Sequence, residues 1–142
     1  MLKQQLEGVL NDGTDFIDII ITAGPSDSFL SAVRRNGKFE FLLCNWGADY
    51  SDPETETDPF YQAENSRGMR YAYLRTGVED GFITGETADA VMAYMNAIEA
   101  AKQITDDIDA RYKAFADAEA LLITNALVIP RGMSVPAYLA TP

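Results

Sequence analysis

Within the first fifty residues, some apolar segments have the spacing of a helix and others have the composition of a strand. Apolar residues recur at helical spacing over residues 2–10, which predicts an amphipathic helix. Residues 16–22 are compact and β-branched and residues 39–44 are apolar, so both stretches predict strands. A helix is expected between them over residues 26–35, where a serine provides an N-cap and an Asn-Gly pair provides a stop. Strands joined in this way are expected to be parallel neighbours.

The last third of the chain has the clearest helical periodicity. It predicts one helix over about 87–103 and a second from a cap at Thr105 to about Thr124. The apolar positions on the buried face of the first helix are Val91, Tyr94, Met95 and Ile98. The inner face of the second helix is expected to carry Ile108, Tyr112, Phe115 and Leu122. Residues 127–130 predict a further strand.

The middle of the chain, residues 47–86, has little periodicity and contains several acidic residues and glycines. It is expected to be a long irregular excursion with a short helix near 59–63 and a short strand near 70–74. Taken together, the segments predict an α/β fold with a small mixed sheet flanked by helices.

Composition narrows the classes of function. The chain of 142 residues has 11 Lys and Arg against 22 Asp and Glu, a net charge of −11, so no nucleic-acid partner is expected. It has no histidine, which removes the commonest general base and transition-metal ligand. The single cysteine, Cys44, excludes an internal disulfide and is expected to be a small buried side chain.

Neither a signal peptide nor a membrane-spanning stretch is evident in the sequence. The start of the chain is amphipathic, and no segment approaches the roughly 20 apolar residues that a membrane span needs. Taken alone, these features predict a soluble cytoplasmic domain. A piece of a larger, exported protein would show the same features.

The most informative stretch is residues 45–53, N-W-G-A-D-Y-S-D-P. It follows an apolar run and holds the only tryptophan, Trp46, with two carboxylates, Asp49 and Asp52. One interpretation is a structural turn, which Asp52-Pro53 starts and Asp49 caps. The other is a ligand site at the end of a strand, where Trp46 provides an apolar wall and Asp49 a charge for an ammonium group.

Further interpretations of the carboxylates stay open. Asp49 and Asp52 could be the acid and base of a glycosidase, although no cluster of sugar-binding aromatic residues lies beside them. Oxygen donors between residues 49 and 58 could form a calcium loop, but Glu54 stands where an EF-hand has its turn glycine. The acidic run 54–58 is most simply a solvated surface.

Three stretches share a pattern with one protein family. Residues 46–53, W-G-A-D-Y-S-D-P, match W-x-A-D-Y-x-D/E-P after an apolar strand, and Phe29-Leu30 with residues 37–41 match the helix and strand before it. The later match comprises Arg111-Tyr112, residues 118–122 and Leu127-Val128-Ile129-Pro130. In these motifs and their order, the chain resembles the peptide-binding proteins of ABC importers, the extracellular solute-binding protein family 5.

The resemblance implies a role for each part of the motif. Asp49 would pair with the α-ammonium group of a bound peptide, and Trp46 would form a wall of the site. The backbone of Asn45, Trp46 and Gly47 would hydrogen-bond the peptide in the manner of an added strand. Asp52-Pro53 would set the turn. No catalytic residue, metal or cofactor is implied.

The resemblance also implies that residues 1–142 are a C-terminal fragment of a two-lobed protein with a periplasmic-binding-protein-like (type II) fold. Residues 1–50 would be a βαβ-like part of one lobe, residues 51–86 the irregular excursion, and residues 87–142 the helices and strand that return towards the other lobe. The parent would be periplasmic or lipid-anchored at the outer face of the cell membrane. It would deliver peptides to the permease subunits of an ABC transporter, and the fragment is expected to dimerise.

The residues and the family resemblance leave three functions open. The first is a peptide-capturing module with no chemistry of its own. The second is a self-contained cytoplasmic hydrolase that uses Asp49 and Asp52, which the lack of histidine weakens. The third is an interaction domain whose acidic run 54–58 contacts a basic partner, which the W-G-A-D-Y motif weakens.

Overall fold

The computed structural model describes residues 2–25, 27–29, 32–33, 39, 41–43, 45–64 and 73–132. Within these residues the α-helices are α1 (Leu2–Asn11), α2 (Glu54–Thr57), α3 (Leu74–Glu79), α4 (Gly85–Lys102) and α5 (Ile108–Thr124). None of these helices is both long enough and apolar enough to cross a lipid bilayer. The predicted ends of the two long helices, α4 and α5, lie within about two residues of the observed ends.

The hydrophobic core lies between α4 and α5. Its fully buried side chains are Val91, Tyr94, Met95, Ile98 and Ala101 from α4, and Phe115, Ala118 and Leu122 from α5. All four apolar positions predicted for the face of α4 are therefore confirmed. On α5 the prediction holds for Phe115 and Leu122 but is wrong for Ile108 and Tyr112, which are 66% and 47% exposed.

Helix α5 begins at a different cap from the predicted one. The Asp107 side chain, and not that of Thr105, accepts a hydrogen bond from the backbone N–H of Ala110 at 2.9 Å. Asp109 lies in the first turn, where a negative charge interacts favourably with the positive end of the helix dipole. The start of α5 is thus fixed two residues beyond the predicted cap.

A buried polar cluster fixes the segment before α3 to α3 and to α4. The Gln62 side chain donates to Thr76 Oγ1 and accepts from the backbone N–H of Thr76 at 3.0 Å. Arg75, which is 5% exposed, donates to the carbonyl of Gln62 at 2.7 Å and pairs with Glu99 on α4. A buried guanidinium without partners would be strongly destabilising. The bonds of Arg75 to Gln62 and Glu99 therefore allow α3 to pack in this position.

The predicted sheet is absent from the described residues, and the α/β prediction with a small mixed sheet flanked by helices is wrong for them. Residues 16–22 form no strand. The side chains of Phe16, Ile20 and Ile21 are 77%, 82% and 73% exposed. A β-branched run favours extended backbone locally, but a strand forms only where a second segment pairs with it.

Side chains of α1 take the place of that pairing partner. The amide of Asn11 accepts from the backbone N–H of Ile17 at 2.7 Å and donates to the carbonyl of the same residue at 2.9 Å. Glu7 accepts from the backbone N–H of Ile19 at 2.7 Å, and Lys3 donates to the Ile19 carbonyl. The backbone groups of Ile17 and Ile19 are therefore satisfied without a sheet.

The remaining strand and helix predictions have mixed outcomes. Residues 127–130 contain no strand, and the short helix expected near 59–63 lies earlier in the chain, as α2. In the predicted strand 39–44, residues 39 and 41–43 are described and have no strand structure. Three predicted segments lie partly or wholly outside the described residues: five of the ten residues of the helix predicted over 26–35, the start of the strand predicted near 70–74, and the tail beyond residue 132.

Candidate functional site

The stretch 45–53 is held against α2 by one buried threonine. The indole N–H of Trp46 donates to the backbone carbonyl of Thr55 at 2.7 Å, and the Thr55 hydroxyl accepts from the backbone N–H of Asp49 at 3.1 Å. Thr55 is 3% exposed. Because both bonds end on the same residue, Thr55 fixes the Trp46 ring relative to the backbone at Asp49.

Asp52 shapes the turn after the motif and joins it to α5. Its Oδ1 accepts from the backbone N–H of Glu54 at 2.9 Å, which confirms the turn role predicted for Asp52-Pro53. Both carboxylate oxygens also bind Arg111, Oδ2 at Nε and Oδ1 at Nη2, each at 3.0 Å. A bidentate pair of this kind is stronger and more directional than a single contact. It links two positions that are 59 residues apart.

Arg111 connects the turn to both long helices. Its Nη2 also pairs with Glu54 Oε2 at 2.9 Å. Its Nη1 donates to the carbonyls of Ala101 at 3.4 Å and Ile104 at 3.2 Å, near the C-terminal end of α4. The guanidinium lies 4.8 Å from the centre of the Phe115 ring. Because the carbonyls of Ala101 and Ile104 lie near the C-terminal end of α4, the cation also interacts favourably with the negative end of the α4 dipole.

Lys102, in the last turn of α4, extends these contacts. It pairs with Glu54 Oε1 at 2.7 Å and Asp58 Oδ1 at 3.3 Å, and it lies 4.7 Å from the centre of the Tyr61 ring. We refer to Asp52, Glu54, Asp58, Lys102 and Arg111 as the ion-pair network. The acidic run 54–58 is therefore not simply a solvated surface, since Glu54 and Asp58 are both half-buried and paired.

The network sets the protonation of the groups around the turn. Hydrogen bonds from Arg111 hold the pKa of Asp52 below its ordinary value, and hydrogen bonds to Asp52 raise the pKa of Arg111. Burial, followed by the charge of Glu54, raises the pKa of the Tyr50 phenol. At neutral pH Asp52 is therefore ionised and Tyr50 is neutral.

An open groove of about 1210 Å³ lies beside this stretch. From the stretch itself it is lined by residues 45–48 and 50–53, which include Asp52. From α5 it is lined by Tyr112, Phe115, Ala116 and Glu119, and residues 130–132 complete the lining near the end of the described chain. The volume slightly exceeds the usual range for pockets that hold one small ligand, so the groove is suited to an elongated ligand.

The structure brings three of the four predicted ligand-binding residues together. Asn45, Trp46 and Gly47 all line the groove, and Trp46 is half-buried there. Asp49 is exposed and is not among the lining residues, although its neighbours Ala48 and Tyr50 are. Asp49 therefore lies at the edge of the groove.

Two groove residues on α5 were not predicted to belong to a site. Tyr112 was expected in the core, and Glu119 was considered as part of the family motif at residues 118–122. Residues 112, 116 and 119 follow one another at spacings of four and three, so they share a helical face beside the core face. That spacing is a usable signal, but it becomes informative only once another segment lies opposite.

The described residues do not offer a metal centre. Among them, no group of three or more Cys, Asp or Glu side chains is arranged to hold a metal ion. In the possible calcium loop, the carboxylates of Asp52, Glu54 and Asp58 are all paired with Lys102 or Arg111.

These features define a helical hairpin with an open groove that has aromatic and carboxylate groups in its lining. No protein-family model matches the chain, and no solved structure matches it. The chain is 31% identical over 133 residues, 91% of its length, to the oligopeptide-binding protein AliB of Streptococcus pneumoniae, both in the serotype 4 strain TIGR4 and in strain R6. The similarity therefore extends far beyond the stretch 45–53.

The matched region is a small part of those proteins. It covers 20% of the AliB chain, so this chain spans about a fifth of the length of the curated relatives it matches.

Proposed function

We propose that this chain is the C-terminal part of the substrate-binding component of an ABC importer for oligopeptides, of the extracellular solute-binding protein family 5. One observation carries the proposal. The stretch 45–53, on which the family resemblance rests, lines an open groove, in a chain that is similar over 91% of its length to proteins named for oligopeptide binding.

In this proposal the groove captures the peptide through its backbone and its amino terminus. Asn45, Trp46 and Gly47 offer backbone groups along the groove, and the Trp46 ring forms an apolar wall whose position is fixed by Thr55. Asp49, at the edge of the groove, pairs with the α-ammonium group. The chain acts by binding and carries out no chemistry.

The whole protein supplies the rest of the cleft. Residues 1–50 belong to one lobe, residues 51–86 form the excursion that carries the three acidic residues of the ion-pair network, and residues 87–142 return towards the other lobe. The parent lies outside the cytoplasmic membrane, in the periplasm or on a lipid anchor, and passes peptide to the permease subunits of the transporter. The exposed side chains of Phe16, Ile20 and Ile21 are covered by the other lobe in the parent.

The same exposed side chains give the isolated chain a surface for self-association. Val9, Phe41 and Phe82 are also 77%, 66% and 86% exposed. An exposed apolar surface of this kind promotes association, so the isolated chain forms dimers.

The geometry disfavours the two other functions considered from the sequence. A hydrolase that used Asp49 and Asp52 as acid and base would need a carboxyl that carries a proton near neutral pH. Asp52 has a lowered pKa and binds Arg111 with both oxygens, so it cannot take that part. An acidic docking surface is weakened as well, because Glu54 and Asp58 are already paired.

The decisive experiment is calorimetric peptide binding to the full polypeptide that contains this chain. Asp49→Asn should weaken the binding of free peptides by a factor of about 30 or more, since losing one partner of a desolvated charge pair typically costs about 2–5 kcal/mol. N-acetylated peptides lack the ammonium group and should bind wild type and Asp49→Asn equally. Asp89→Asn, an exposed change on α4 with the same loss of charge, is the matched control.

Asp52→Asn separates the two carboxylates. It should lower stability and leave peptide affinity largely intact where the protein remains folded. Unchanged affinity in Asp49→Asn, together with loss of binding in a folded Asp52→Asn protein, would show that the two roles are wrongly assigned. Absence of peptide binding by the wild type would refute the proposed function itself.

A further inference from the structure

Two carboxylates from different helices line the groove. Glu56 comes from α2 and Glu119 from α5. Both line the open groove, and both also line a smaller cavity of about 50 Å³. The two spaces share the residues Glu56, Thr57, Glu119 and Pro130, so the small cavity adjoins the groove beside these two carboxylates.

These carboxylates differ from the others around the turn. Asp52, Glu54 and Asp58 are neutralised by Lys102 and Arg111, whereas Glu56 and Glu119 are exposed and form no ion pair with another described residue. The cationic residue that lines the groove is Arg131, in the segment 130–132. Two unpaired negative charges against one positive charge leave the groove with an excess of negative charge, as in the chain as a whole.

The rest of the small cavity is apolar. Its other lining residues are Phe60, Leu122, Ile123 and Val128. An apolar cavity with carboxylates at its entrance matches the two ends of a lysine or arginine side chain, which has an aliphatic stem and a cationic head. The aromatic rings of Trp46, Tyr112 and Phe115 along the groove also favour a cation over an anion.

We propose that the groove selects peptides that carry a lysine or arginine residue, whose stem enters the small apolar cavity and whose cationic head lies between Glu56 and Glu119. This inference rests on the proposed function and adds a side-chain preference to it. The occupant follows from charge complementarity and from the apolar lining of the cavity.

The preference should be moderate, because both carboxylates are exposed. Pairing with an exposed carboxylate is typically worth a few-fold in affinity, so two of them should favour a basic side chain by about 5- to 10-fold. Such a preference should weaken as salt rises from 50 to 500 mM, because ions screen exposed charges.

The test compares peptides that differ by one charge at one position. Lysine is compared with norleucine, and arginine with citrulline, within an otherwise identical alanine-rich peptide, by calorimetry on the full polypeptide that contains this chain. The variants are Glu56→Gln, Glu119→Gln and the double variant. Glu86→Gln, an exposed change in the first turn of α4, is the charge-matched control.

The expected result is a preference for lysine and arginine that falls about two- to threefold in each single variant, disappears in the double variant and persists in Glu86→Gln. Affinity for the norleucine peptide should not change. Equal binding of lysine and norleucine peptides by the wild type, or a preference that survives the double substitution, would overturn the inference. In either case, peptide binding that still depends on Asp49 would leave the proposed function standing, whereas no binding of any peptide would overturn both.

Discussion

Arg111 is predicted to hold the turn of the candidate site on the helical hairpin. Arg111→Ala would remove the two bonds to Asp52, the bond to Glu54 and the bonds to two carbonyls near the end of α4. Glu54 keeps Lys102 as a partner, so the main loss is the Asp52 pair and the interaction with the end of α4.

The size of the effect follows from how far the pair is shielded from water. The side chains of Arg111 and Asp52 are 15% and 27% exposed. Hydrogen bonds to charged groups contribute about 1.5–3 kcal/mol when buried, and partial solvation reduces the contribution of this pair to ~1–2 kcal/mol. The interaction with the helix end adds ~0.5 kcal/mol. The expected loss of about 2 kcal/mol lowers the urea midpoint by roughly 1 M.

The assay is urea unfolding followed by two signals. Trp46 is the only tryptophan and is bonded to Thr55, so its fluorescence reports on the loop, while far-ultraviolet circular dichroism reports mainly on α4 and α5. Both transitions should move to lower urea in Arg111→Ala. A double-mutant cycle with Asp52→Asn should give a coupling energy of ~1–2 kcal/mol, because the two residues contact each other directly.

Acid should remove the same contribution. The pKa of Asp52 is lowered in the folded protein, so its stabilising effect is present above the ordinary carboxyl pKa of about 4 and is lost as pH falls through the lower folded value. The difference in stability between wild type and Asp52→Asn should therefore be constant above about pH 5 and should shrink progressively in acid.

A matched control comes from the exposed pair of Lys113 and Asp117 on the same helix. Their side chains are 75% and 65% exposed, so Asp117→Asn should change stability by less than ~0.5 kcal/mol. A loss in Arg111→Ala no larger than this, or a coupling energy near zero with Asp52→Asn, would show that the network does not hold the turn in place.

Two further outcomes are expected from the core and the surface. Tyr94 is fully buried, and its hydroxyl donates to the Thr57 carbonyl at 2.9 Å; burial raises its pKa, so it stays protonated. Tyr94→Phe removes this bond but leaves the carbonyl its bonds from the N–H groups of Phe60 and Tyr61, so it should cost about 1 kcal/mol in urea unfolding, and no loss would refute this role. Light scattering of the isolated chain should show dimers that dissociate in Ile20→Ser and Ile21→Ser variants, and a monomer at high concentration would contradict the proposed association.

Helices α4 and α5 were predictable because their information is local. The apolar face Val91, Tyr94, Met95 and Ile98 has the period of a helix and packs as that period requires. The cap was misplaced because several residues near 105–109 can all cap a helix. Only the backbone geometry selects Asp107, whose extended φ and ψ let its side chain accept from Ala110.

The strand at 16–22 could not be judged from its own residues. Its composition predicts extended backbone, but whether a strand forms depends on a partner elsewhere in the chain. Here Asn11 and Glu7 of α1 take the backbone hydrogen bonds of Ile17 and Ile19. Nothing in the periodicity of either segment indicates that polar side chains of a helix would form these backbone hydrogen bonds.

One part of the candidate site could be predicted from the sequence and the other part could not. The special character of the stretch 45–53 was predictable because its residue types are unusual for a plain turn. The structure places Asn45, Trp46 and Gly47 on a groove, and their ligand-binding role stays a prediction. The opposite wall was not predictable, since Tyr112 and Glu119 are distant in sequence and acquire their role only when α5 packs beside the stretch. Arg111 carries no local sign that it will bind Asp52.

The contacts explain why the motif has two carboxylates three residues apart. Asp52 points its charge at Arg111 and uses both oxygens to fix the turn to α5. Asp49 keeps its place at the edge of the groove because Thr55, which also fixes Trp46, binds its backbone N–H. If Asp52 were absent, Arg111 would be joined to this part of the chain only through Glu54. One carboxylate therefore ties the turn to α5, and the other is exposed beside residues that line the groove.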